Sequence, residues 1–110
     1  MAQLLTHLFL KQMNRVEKIF ENKAINRSGI LLFSKEDALL FIEACKESKI
    51  QILGIDAFYL WGDYTQPSLD NSVNFSSPEY TLKTESIYSD AVVFLEGKSE
   101  NLFFEIVCNE

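Results

Sequence analysis

Residues 50–61 read Ile-Gln-Ile-Leu-Gly-Ile-Asp-Ala-Phe-Tyr-Leu-Trp. Apolar and aromatic side chains occupy both alternating sets of positions, the pattern of a central strand covered on both sides, or partly so. Just upstream, Ser34 stands three places before Asp37, a capping box with Asp in place of Glu or Gln. Ala38, Phe41, Ile42 and Cys45 follow at helical spacing, with Glu36, Glu43, Lys46 and Glu47 opposite, so a helix is expected over 35–48. Before it, Ile30-Leu31-Leu32-Phe33 reads as a short apolar strand. Strand, helix and strand in that order predict a β-α-β unit.

Working outward, Leu5, Leu8, Phe9, Met13, Val16, Ile19 and Phe20 recur every three or four positions between polar residues. That stripe predicts an amphipathic helix over 3–21, and Asn, Ser and Gly in 22–29 break it. Downstream, 62–78 is dense in turn formers: Gly62, Asp63, Pro67, Ser68, Asp70, Asn71, Ser76, Ser77 and Pro78. It reads as a long excursion with a short strand near Val73–Phe75, and such segments are commonly functional. Thr84 or Thr81 is placed to cap a third helix over 85–96, with stripe Ile87, Ala91, Phe94 and Leu95 and with Gly97 at C′. Residues 101–108 form a last apolar strand. The expected fold is α+β, about three helices packed on a three- to four-stranded mixed sheet, as one domain over 1–110.

The chain has 110 residues, 47% of them apolar, with nine phenylalanines, enough for a real core. No apolar run approaches the roughly 18–20 residues of a membrane span. The start, Met1-Ala2-Gln3-Leu4-Leu5-Thr6-His7, has neither the basic region nor the small-residue cleavage site of a signal peptide, so a cytoplasmic location is expected. The net charge is −6. Residues 1–50 hold eight Lys/Arg against six Asp/Glu, whereas 51–110 hold two against ten. No basic residue lies between Lys49 and Lys83. Such a field repels nucleic acid and anionic lipid and attracts basic partners, or serves solubility alone.

The residues offer little to catalysis. His7 is the single histidine and has no neighbouring acid in sequence, so it reads as a surface or helix-edge residue. No phosphate-binding loop, zinc spacing or nucleophile elbow is present. Cys45 and Cys108 are too few for a disulfide framework and read as reduced, buried thiols. Asp56 interrupts an apolar strand. It is either a structural acid beside Gly54, accepting backbone N–H groups or paired with a cation such as Arg27, or a partly exposed acid at a binding surface. Tyr59-Leu60-Trp61-Gly62-Asp63-Tyr64 mixes aromatics with an acid, and Asp70, Glu79 and Tyr80 follow without a Lys or Arg. Tyr and Trp supply large contact area at low entropy cost, although Trp61 would equally fill the edge of the core. RNA stacking would need Arg and Lys nearby, and they are missing.

The strand at 30–33, Ser34-Lys35-Glu36-Asp37-Ala38 opening a helix, then Lys49-Ile50-Gln51-Ile52-Leu53-Gly54-Ile55-Asp56-Ala57-Phe58-Tyr59-Leu60, and Asp70-Asn71 near a turn, together resemble the immunity protein 40 family of bacterial polymorphic toxin systems. The resemblance implies a small α+β protein that binds a cognate toxin domain, often a nuclease, and blocks its active site or excludes its substrate. The expected partner-binding set is Asp56, Tyr59, Trp61, Asp63, Tyr64, Asp70, Asn71, Glu79 and Tyr80. The expected molecule is a cytoplasmic monomer with no catalytic residues, no cofactor or metal, and no nucleic-acid or membrane partner. Two other readings stand beside it: an acidic adaptor or regulatory subunit without a toxin partner, and a small enzyme using Asp56 with His7 or tyrosines.

Overall fold

A computed structural model describes residues 13–76 and 86–109. In chain order the elements are helix α1 (Arg15–Phe20), a 3₁₀ turn (Glu21–Lys23), strands β1 (Ile25–Arg27) and β2 (Ile30–Leu32), helix α2 (Lys35–Ser48), strands β3 (Gln51–Trp61) and β4 (Tyr64–Asn74), helix α3 (Ser86–Glu96) and strand β5 (Phe103–Asn109). The class is α+β, as the sequence suggests. Among the described residues no helix is long and apolar enough to cross a membrane.

β3 is central, in the order β4-β3-β5. Every strand pair is antiparallel, so the sheet is not mixed over the described residues. The expected β-α-β crossover exists in a split form. Phe33, just past β2, exchanges backbone hydrogen bonds of 2.8 Å each way with Phe104 on β5. β2 and β3 therefore run the same way, with β5 inserted between them. Sequence order alone could not place β5 there, because its partners are contributed from far along the chain.

The double-sided apolar pattern of 50–61 has a specific cause. Ile52 pairs with Cys108 and Gly54 with Val107, so Leu53 is an extra residue in β3, a β-bulge. The bulge swaps parity: Ile50 and Ile52 enter the core before it, Ile55 and Ala57 after it. The main core, between this face and α2 and α3, also takes Phe41, Ile42, Cys45, Ile87, Leu95 and Phe104. Leu32 and Phe58 are buried but stand outside that cluster, a smaller apolar layer on the other side of the sheet.

α2 begins where its cap predicts, Ser34 Oγ accepting from the Asp37 N–H at 3.2 Å. It ends on Lys49 in the left-handed region, φ 57°. The N-terminal helix differs from the expected 3–21. Met13 and Asn14 are not helical, and Asn14 opens α1 through a reciprocal capping box with Glu17, both bonds 2.8 Å. The rest of that expected helix, with His7, lies outside the described residues. The break expected at 22–29 contains a strand: β1 pairs with β2 across the tight turn Ser28-Gly29. α3 matches over the described part of 85–96. Its end is secured by the Lys35 ammonium, which donates to the Glu96 and Lys98 carbonyls at 3.1 and 2.9 Å, while Gly97 does not adopt the left-handed cap expected of it. Thr81 and Thr84 lie outside the described residues.

The largest departure is 62–78. Instead of an excursion, most of it is β4, eleven residues long and hydrogen-bonded to β3. Trp61 pairs with Tyr64, leaving a two-residue turn of Gly62 and Asp63. Gly62 sits at φ 59° and Asp63 is not in the left-handed region, the arrangement of a II′ hairpin with glycine first. β4 is the sheet edge, where Pro67 and a polar sequence are tolerated.

Candidate functional site

The β3–β4 ribbon carries the residues that stand out. At its tip, Tyr59 and Trp61 are two positions apart on one strand, so they share a face, and their rings stack with centroids 6.1 Å apart. Cross-strand pairing puts Tyr64 opposite Trp61 and Gln66 opposite Tyr59 on the same face. Trp61 Nε1 donates to Gln66 Oε1 at 2.9 Å, which fixes the indole although it is 61% exposed. Tyr64 is 62% exposed. Tyr59 is partly buried against the main core, so only the outer ring pair is free of the interior.

Farther along β4 lies a second feature. Ile55 pairs with Val73 but Ala57 pairs with Ser68, so Leu69, Asp70, Asn71 and Ser72 all stand against Asp56 alone. This wide bulge is held by side chains. Ser72 Oγ accepts from the buried Ala57 N–H at 2.9 Å and donates to the Ser68 carbonyl at 2.7 Å. Asn71 Nδ2 donates to Ser68 Oγ at 2.9 Å, and Asn71 Oδ1 accepts from Lys98 Nζ at 3.3 Å. Leu69 projects from this brace at 85% exposure, with Asp70 exposed beside it. An exposed leucine on a bonded bulge is a fixed apolar knob rather than a loose loop residue.

β3 also outruns β5 at the tip. Phe104 turns its backbone toward Phe33, so Phe103 turns toward β3 and pairs with Phe58. Two residues on, Leu60 presents its N–H and C=O the same way, where β5 has not begun. A hollow of about 340 Å³ lined by Tyr59, Leu60, Trp61 and Asn101 lies there.

The expected site residues divide accordingly. Trp61, Asp63, Tyr64 and Asp70 are exposed along one ribbon, with Tyr59 and Asn71 supporting them. Trp61 does not fill the core edge. Asp56 faces elsewhere: it pairs with Glu105 across β3–β5, one position off the core-facing Ile55 and Ala57, and so points from the sheet face opposite to the helices and to Trp61. It is exposed and does not pair with Arg27. Arg27 instead reaches the hairpin turn, donating to the Gly62 carbonyl at 2.7 Å and to Thr65 Oγ1 at 3.3 Å. Glu79, Tyr80 and His7 lie outside the described residues.

The stretch free of Lys and Arg between Lys49 and Lys83 is thus not free of cations in space, since Arg27 and Lys98 lean onto it from other elements. The sequence reading does not pick out Leu69, Gln66 or Ser72, and takes Ser68 only as a turn former. The one signal for the brace is Ser68 and Ser72 flanking Asp70-Asn71, small polar side chains that bond nearby backbone. Among the described residues no group of three or more His, Cys, Asp or Glu side chains could hold a metal ion. No protein-family model matches the chain, and no curated protein matches it either.

Proposed function

We propose that the protein is an immunity protein: it binds a cognate, basic toxin domain stoichiometrically in the cytoplasm and neutralises it without catalysis. The observation that carries this reading is the set Trp61, Tyr64 and Leu69, three large apolar side chains more than 60% exposed along one ribbon whose supports are hydrogen-bonded in place. Exposed apolar side chains on a rigid frame lose little entropy on docking, and Trp and Tyr are the residues most often found to dominate interfaces. Asp63 and Asp70 flank them and would speed capture of a cationic partner. An acidic adaptor would use the same ribbon, and only the partner separates the two readings.

The test is co-expression with the products of the neighbouring reading frames, scored by growth inhibition, its rescue and co-purification. Trp61→Ala with Tyr64→Ala is expected to abolish rescue while leaving the melting curve in place. Charge reversal at Asp63, Asp70 and Glu79 is expected to slow association, most strongly at low salt. Association indifferent to both the substitutions and the ionic strength would remove this surface from the account. Co-purification with an unrelated basic protein, without rescue, would favour the adaptor.

A further inference from the structure

Cys45 on α2 and Cys108 on β5 lie in the core between helices and sheet, with their sulfur atoms 4.0 Å apart. They are far apart in sequence and take no part in the ribbon described above. We propose that Cys45 and Cys108 form a covalent modification site, a dithiol that a small-molecule disulfide of the glutathione class converts to an intramolecular disulfide joining α2 to β5.

Geometry favours one product. A disulfide bond is about 2.05 Å long, so the two sulfurs, 4.0 Å apart, must close by about 2 Å. The chain holds two cysteines in all, so no third thiol competes. The contact is also direct, one thiol lying within hydrogen-bonding range of the other.

The chemistry proceeds by exchange. The thiolate of one cysteine attacks the small disulfide, forming a mixed disulfide and expelling one small thiolate, which takes up a proton. The second cysteine thiolate then attacks the protein sulfur of the mixed disulfide and expels the other small thiol. Two protein thiols lose two protons and two electrons in total, and one small disulfide is reduced to two thiols.

Burial sets the rate. The hydrogen bond with Cys108, followed by desolvation, pushes the Cys45 thiol far above its ordinary value, so the closed fold keeps Cys45 protonated and slow to react. Cys108 is 5% exposed and Cys45 is fully enclosed, so exchange starts at Cys108 when the end of β5 opens. The site therefore reads both the ambient thiol balance and the local opening of β5. Once formed, the bond closes a long loop and restricts the unfolded chain.

The experiment equilibrates the full chain with reduced and oxidised glutathione over a range of ratios, quenches with an alkylating reagent and measures intact mass and melting. The expected result is joint loss of both free thiols without retained glutathione, faster migration on a non-reducing gel, and a melting temperature higher by about 10 °C, all reversed by reductant. Cys108→Ala is expected to yield no bridge, and Cys45→Ala to stop at a glutathione adduct on Cys108. Four results would overturn the proposal: both thiols free at every ratio, glutathione retained on the wild-type chain, cross-links only between chains, or a lowered melting temperature. The mass measurement on the wild-type chain decides even if neither variant folds.

Discussion

At Gly54 a methyl carbon would come within 2.9 Å of the Val73 carbonyl oxygen, a backbone atom that cannot turn aside. The residue is glycine because β4 passes close there: the Phe75 N–H donates to the Leu53 carbonyl at 2.8 Å, and the Leu53 bulge brings the two backbones together. Gly54→Ala is expected to destabilise the fold by about 2 kcal/mol in chemical denaturation, the cost typical of forcing extra volume into a packed site. Asp56, two places on, contrasts with it. Its carboxylate is exposed and directly opposite Glu105, so no buried-charge cost has to be offset, and a like charge across the pair opposes it. Asp56→Ala should therefore leave stability within about 0.5 kcal/mol of wild type, as measured in the same denaturation experiment. The sequence singles out Asp56, but its exposure, which rules out the buried structural acid, comes from which way β3 faces after its bulge.

At the scale of elements, α2 and β4 are instructive opposites. α2 was legible nearly to the residue, because Ser34 as cap and the stripe Ala38, Phe41, Ile42 and Cys45 are local signals that tertiary packing reinforces. β4 was legible only as a short stretch near Val73. Its residues are polar, Pro67 interrupts them, and an edge strand needs no apolar alternation because its hydrogen bonds to β3 hold it. The wide bulge then removes any regular period. That bulge depends on Ser72, whose hydroxyl satisfies the buried Ala57 N–H. Ser72→Ala is expected to cost about 2 kcal/mol, since a buried donor is left unpaired. Hydrogen exchange should show the loss concentrated at Ala57 and along residues 68–73, with α2 protected as before.

Over the whole molecule, the strands run β4-β3-β5 and continue through the Phe33–Phe104 bridge to β2 and β1. Arg27 on β1 nevertheless touches the β3–β4 turn at the far end of that series. The sheet therefore curls until its outermost strand returns to its first hairpin, which is how Phe58 and Leu32 become buried opposite the helices. Arg27→Ala is expected to release this closure: faster amide exchange in β1 and β2 and at the hairpin turn, with a loss of about 1–2 kcal/mol. Unchanged exchange there would mean that the Arg27 bonds do not hold the strands together.

The sequence by itself determined the α+β class, the helix at 35–48 with the strands on either side of it, the described part of the helix expected over 85–96 with the strand after it, and the acidic, aromatic character of 59–70. These are local properties, set by periodicity, capping and composition. Tertiary structure alone decided that β5 splits the β2–β3 pair, that β4 is a strand, that Asp56 and Trp61 face opposite ways, and that Arg27 and Cys108 meet partners far along the chain. Those outcomes depend on bulges and long-range register, and one extra residue in a strand reverses the face of every side chain after it.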